Sequence, residues 1–313
     1  MANLRHTAMT LGTTKSTNVS AELRADRQIS DFRHGTKQVG GDISVELSYG
    51  SFDPIMEAAL LGTWTPVATV TDTDLSATAA DNSFNSASDG FAGLDIEAGD
   101  QIAVSGFTGD PANSGTFTVA SVADGKITVE EDVIVDEAAG DSVTLATVAN
   151  FLRAGTTRRP FSVLRYFSDQ SGSDKPYHMY KGVEFNTLGL SATPGGIVTM
   201  TFGVLGREPA LAETAPAGST LSPASTTKVF DSFTGSLTEG GVVIGTVTEL
   251  SLTLENGLDP RFVLFSDLTI EPSIGRSNLT GQITVYFDNA DMLEKFLDET
   301  ASALVATMTD EAG

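Results

Sequence analysis

Followed for the alternation of apolar and polar positions, the chain gives the same succession twice: a strand, then a short helix. In residues 40–49, Ile43, Val45 and Leu47 fall on one side of an extended segment and Asp42, Ser44 and Glu46 on the other. That period of two is what a half-buried strand requires. Residues 51–62 change period: Ile55, Met56, Ala59 and Leu60 make a helical apolar face. Asp53-Pro54 opens that helix, with a carboxylate for a free N–H and proline at the first helical position, and Gly62 closes it. Near the other end, Gly281, Ile283, Thr284, Val285 and Phe287 match Gly41, Ile43, Ser44, Val45 and Leu47 at a constant offset. A second helix is predicted over 291–300. A module used twice turns the expectation from catalysis toward assembly.

The remaining elements follow from the same patterns. Residues 1–20 are polar and Thr-rich and predict an extended arm. Residues 18–32 alternate weakly through Val19, Ala21, Leu23, Ile29 and Phe32, as a half-buried strand does. After Trp64 the chain becomes small, acidic and turn-rich, with strand-like runs at 101–105, 115–122, 126–129 and 143–146. This predicts a small all-β domain over 66–149, inserted between the first helix and the next strand, with its two ends side by side. The host resumes with strands at 158–167, 177–186, 188–192 and 197–205. Residues 206–228 are rich in Pro, Ala, Ser and Thr and read as a linker, bounded at 211–228 in the domain division. Strands at 247–255, 262–270 and 281–287 then restart the pattern.

The predicted domains are therefore an arm (1–20), a first module (21–65 with 150–210), the inserted domain (66–149), a linker (211–228) and a second module (229–313). The second module lacks its closing strands. The expectation is a further segment beyond Gly313, because an unpaired sheet edge invites association.

Charge changes the picture in one place. The formal net charge is −23, and residues 66–149 hold 15 of the 41 Asp and Glu residues but only one of the 18 Lys and Arg residues. Acidity is thus mainly a property of the insert, where it serves solubility. No basic patch exists to neutralise phosphates, so specific nucleic-acid binding is not expected. There is no cysteine, which excludes disulfides. No long apolar run or signal-like start is present, so a soluble protein without a membrane partner is expected.

Few residues suggest chemistry. His6, His34 and His178 lack ligand spacing, no nucleophile or phosphate-loop motif occurs, and Asp72, Asp74, Asp81 and Asp89 match no cation-wrapping loop. No enzyme activity, metal or cofactor is expected. Two charge arrays remain. Arg24, Asp26, Arg27, Asp31 and Arg33, with Lys37, mix signs over a short stretch. Arg158, Arg159 and Arg165, with Arg153, form the densest basic cluster. Both are candidate subunit interfaces, and a solvated edge or ordinary loop is the plain alternative.

The stretch Glu22–Arg33, followed by Gly41-Asp42-Ile43 and Leu47-Ser48 and then the 52–61 helix, resembles the major tail tube proteins of long-tailed, siphovirus-like bacteriophages. The resemblance is strongest over 10–65 and looser over 150–210 and 240–300. It implies a mainly β fold: tail-tube-type β-sandwich or barrel modules, each with a short flanking α-helix, plus the inserted all-β domain facing outward. It also implies a structural subunit of the virion tail, assembled in the host cytoplasm into stacked rings whose inner strands form one barrel. The lumen would hold a tape measure protein and conduct DNA without binding it specifically. Tail terminator and tail tip proteins would be the other partners. The duplicated module suggests a pseudo-hexameric ring of three chains, with a homohexamer as the alternative. A competing reading is a β-sandwich adhesin with the acidic insert as its recognition head; a β-rich hydrolase is a third.

Overall fold

The computed structural model describes residues 2–309 except 233, 240, 241, 288, 289, 301 and 303. The chain is mainly β and divides into two compact units, Met1–Gly62 with Ala154–Gly313, and Thr63–Arg153.

The larger unit is organised by one sheet. Six ranks of strand lie side by side, each antiparallel to the next: Ala8–Met9 with Gly12–Val19, then Phe32–Glu46, Thr199–Gly206, Tyr177–Ala192, Val247–Glu255 and Asn278–Val285. Phe161–Tyr166 and Glu208–Ala212 flank the first half of Tyr177–Ala192. Alternation puts Ile43, Val45, Met200, Phe202 and Val204 on one face, where they are buried with Phe52, Ala58, Ala59 and Phe185. Phe185 and Phe202 meet edge-to-face at 5.7 Å. Each such side chain contributes about 1.5–3 kcal/mol by leaving water.

The helix Asp53–Ala59 covers this face. Its cap position is the buried Phe52, so Asp53 is the first helical residue and its carboxylate does not occupy the cap expected of it. The reversal falls on Leu61, at φ +52°, one residue before the predicted stop at Gly62.

Several elements differ from the sequence expectation. The first 20 residues contain two strands held by Phe32–Glu46. Residues 20–31, expected as part of a strand, form a loop. Arg27 turns it at φ +60°, and the Asp26 and Asp31 carboxylates accept from the Gln28 and Phe32 amides at 3.2 and 2.9 Å. Such local bonds compete with a ladder, and Leu23 is 99% exposed. Residues 177–192 are one strand rather than two, with a register shift between Phe185 and Thr187. Residues 262–270, expected as a strand, form no ladder among the described residues: a bridge joins Phe262 to Thr269, and the Lys37 amide of Phe32–Glu46 donates to the Asp267 carbonyl. Part of the expected linker, Glu208–Ala212, is a strand.

The second hairpin builds no sheet of its own: Val247–Glu255 pairs with residues 187–192 of the first. Its helix, Asp291–Leu297, is shorter than predicted and leaves Leu293, Phe296 and Leu297 exposed. Leu304–Met308 pairs with Gly235–Glu239 in a separate three-stranded sheet. Residues 310–313 of the second module lie outside the described residues.

The smaller unit has its own sheet of seven strands, ordered Thr69–Asp72, Val143–Thr147, Gln101–Ser105, Gly115–Ala123, Lys126–Val129, Ser83–Ser86 and Leu75–Thr78. Its core includes Leu75, Phe84, Ile102, Phe117, Ile127 and Leu145. Trp64–Thr65 pairs with Phe151–Leu152, which brings the ends of the unit together.

Candidate functional site

The register of the large sheet aligns like with like. Glu46, Thr199, Ser191, Ser251 and Gln282 form one rung across five strands. Two residues along, the rung is Ser44, Thr201, Gly189, Thr253 and Thr280; the next is Asp42, Gly203, Thr187, Glu255 and Asn278. Between them lie Val45, Met200, Leu190, Leu252 and Gly281, and Ile43, Phe202, Leu188, Leu254 and Leu279. Because strand side chains alternate, the polar rungs make one face and the mainly apolar rungs the other.

The three polar rungs carry hydroxyls, amides, glycines and three carboxylates, and neither lysine nor arginine. The Ser44 and Thr201 hydroxyls lie 3.3 Å apart. Such a wall presents short, uncharged or acidic groups and repels a polyanion. The signal lay in the register: single strands show alternation, but only pairing shows that five polar sets share a face.

The two borders of the sheet are open. Among the described residues, Asn278–Val285 pairs only with Val247–Glu255, and Gly12–Val19 only with Phe32–Glu46. Both are eight residues long, neither contains proline, and their single charge is Lys15. Natural edges are usually blunted by charge or proline; here Lys15 alone does so, and Asn278–Val285 has neither.

The predicted interface residues separate into two groups. Arg24 pairs with Asp26 at 3.2 Å and Arg33 with Asp31 at 2.9 Å, all in or beside the exposed 20–31 loop, which Arg27 turns. Arg158, Arg159 and Arg165 instead make contacts inside the chain. Arg158 meets the buried Glu184 with two bonds of 2.8 Å and also reaches Glu271 at 2.9 Å. Arg159 contacts Glu57 at 3.3 Å and donates to the Gly62 carbonyl. Arg165 donates to the Leu11 carbonyl at 3.3 Å and stacks on Phe167. Lys37 pairs with Asp267, and that hydrogen bond holds the Asp267 carboxyl below its usual range.

In the smaller unit the carboxylates hold backbone. Glu137 accepts from the amides of Thr108, Gly109 and Asp110 at 3.1, 2.7 and 3.1 Å and from the buried Asn113 side chain at 2.7 Å. Asp141 accepts from the Thr108 amide and hydroxyl, which holds its pKa below the ordinary value. The density of acid in this segment thus has a structural use beyond solubility. Among the described residues, no group of His, Asp or Glu side chains is arranged to hold a metal ion.

Comparison with known families matches residues 2–313 to a family described as phage tail tube protein. Comparison with curated proteins finds no match.

Proposed function

The chain belongs to the phage tail tube protein family, and from that premise we propose that copies of it close into rings by joining the open borders of the large sheet. Those rings stack into the tube of a virion tail, and the polar rungs line the bore. One observation carries this reading. Six alternating ranks of strand make the two borders run in opposite directions. When a head-to-tail copy is added by rotation, Asn278–Val285 therefore meets the 8–19 segment of the next chain antiparallel, as every other pair in the sheet is. An odd number of ranks would give a parallel seam. Such a heterologous contact closes a ring once the rotation closes, with the stagger that a barrel demands.

At about 4.8 Å per strand and about 40° of tilt, three chains of six strands close at roughly 36 Å across, backbone to backbone, and six chains at roughly twice that. We take the three-chain ring, since each chain already carries two tube-type hairpins. The bore holds the tape measure protein during assembly in the host cytoplasm and later passes DNA, which the acidic wall does not grip. Tail terminator and tail tip proteins cap the stack. The 66–149 segment faces outward. Arg24, Asp26, Arg27, Asp31 and Arg33 meet a neighbouring copy, while Arg158, Arg159 and Arg165 act as internal clamps. The role is structural and involves no catalysis.

The test is electron microscopy of purified protein beside a Leu279→Lys variant. Leu279 is exposed on the border strand, so the variant folds, but the seam would bury its charge. Rings from the parent and folded single chains from the variant are expected. A parent that stays monomeric at every concentration, or a variant that forms the same rings, defeats the reading.

A further inference from the structure

The two ends of the large sheet differ in a way that the ring alone does not use. Strands Val247–Glu255 and Asn278–Val285 are joined by residues 256–277, and the tip of that connection is Phe262-Val263-Leu264-Phe265. Leu264 is 85% exposed and Phe265 is completely so. Phe265 sits at φ +66°, a conformation costly for an aromatic residue.

This tip is fixed rather than loose. Bridges join Asp259 to Ser273 and Phe262 to Thr269, and Arg261 donates to the Glu271 carbonyl at 2.8 Å. The Lys37 amide donates to the Asp267 carbonyl at 2.6 Å, and its ammonium pairs with the Asp267 carboxylate. Holding an apolar tip rigid in water lowers the entropy cost of docking it.

At the other end of the same strands is a concavity of about 390 Å³. Its lining includes Val198, Leu237, Val243, Ile244, Leu250 and Ala306, beside polar residues such as Asp231 and Glu249. A dry cavity of about 150 Å³ accepts a benzene ring, so this one has room for an aromatic and an aliphatic side chain together. The tip leaves the sheet beyond Glu255, and the hollow lies beside Val247 and Leu250. Eight steps of strand separate those ends, roughly 26 Å at about 3.3 Å per residue. The tip therefore cannot reach the hollow of its own chain.

We propose that the Leu264-Phe265 tip of one copy plugs into this hollow on the copy in the next ring, so that stacking along the tube axis is a plug-and-socket contact. The inference rests on the ring reading and adds the axial partner to it. Plug and socket lie at opposite ends of one ladder, so the contact is head-to-tail and does not terminate: each added ring offers a fresh plug. A second copy is the occupant because the same chain supplies a fixed apolar projection and a recess with room for it, at opposite ends of one ladder.

The chain has no cysteine, which permits a direct test. In a Leu264→Cys, Val243→Cys double variant, the introduced thiols lie too far apart to bridge within one chain. Oxidation of assembled tubes should give a ladder of linked chains on a non-reducing gel. Phe265→Asp alone, a change at a fully exposed position, should give single rings in place of tubes. Tubes whose double-cysteine chains all run as monomers, or Phe265→Asp tubes of unchanged length, overturn the inference while leaving rings intact. Absence of rings altogether is a distinguishable failure: it removes the edge-sharing reading and this inference with it.

Discussion

Asn256 donates its side-chain amide to the carbonyl of Ala59 at 2.7 Å and to that of Phe185 at 3.1 Å, and it is buried while doing so. One residue just past Val247–Glu255 thus holds the end of the Asp53–Ala59 helix and the register shift in Tyr177–Ala192. The second hairpin is fastened to the first through a polar contact deep in the core.

Asn256→Leu should therefore destabilise the large unit. The substitution removes two donors and leaves both carbonyls buried without them, a cost of roughly 2–4 kcal/mol. Thermal unfolding followed by circular dichroism should show the midpoint lowered by several degrees. An unchanged midpoint would mean that the hairpin is held by its ladder alone.

Glu137 plays a comparable part in the smaller unit. Glu137→Ala strips acceptors from three amides and from Asn113, and charge-assisted bonds of this kind contribute about 1.5–3 kcal/mol each. With its own core and paired ends, residues 63–153 expressed alone should unfold in one cooperative transition. Glu137→Ala should lower that transition clearly, while Glu130→Ala, at an exposed position, should not.

Acid should weaken the same unit. The pKa of Asp141 lies below its ordinary value of 3.8 because the Thr108 amide and hydroxyl donate to it. That of Asp81 is lowered by Lys126 and Ser83, and that of Asp74 by the Ser88 and Ser86 hydrogen bonds. A folded-state pKa below the unfolded one gives stability that is present above the unfolded value and lost as pH falls through the folded one. The unfolding midpoint of residues 63–153 should thus fall with decreasing pH below the ordinary 3.8. Asp141→Asn should remove part of that dependence. A midpoint that rises on acidification through this window would contradict the assignment.

Adding positive charge to the polar face should leave assembly intact and impede transit. Thr201 and Thr253 belong to one rung, separated by Gly189. A Thr201→Lys, Thr253→Lys variant in assembled particles should eject DNA more slowly at low salt. It should recover between about 50 and 200 mM as phosphate contacts are screened. Ejection at the parent rate in low salt would mean that this face does not meet DNA.

Much of this was legible in the sequence. Ile43, Val45 and Leu47 alternate cleanly, and Val247–Glu255 does too, so both strands were found, although the first runs Phe32–Glu46 and begins well before the expected 40–49 segment. The mainly β class and the tail tube resemblance agree with the fold and the family match. What failed were elements decided by neighbours. The apolar run at 262–270 has strand composition, but it meets Phe32–Glu46 through the Lys37 amide and the Asp267 carbonyl without forming a ladder. Tyr177–Ala192 reads as two pieces because Asn186 and Thr187 interrupt the alternation where the register shifts. The polar face was invisible because it is a property of pairing across five strands, none of which is unusual alone. The resemblance of the second hairpin to the first did not reveal that both would share one sheet.

The central claim is that this sheet is completed by copies of itself. Cryo-electron microscopy of the assembled tube, at a resolution that traces strands, tests it most directly. The account predicts Asn278–Val285 hydrogen-bonded antiparallel to the 8–19 segment of the adjacent copy, with Ser44, Thr201 and Thr253 turned to the bore. A map in which either border is sealed by its own chain, or in which the Ile43–Phe202–Leu254 rung faces the channel, contradicts it.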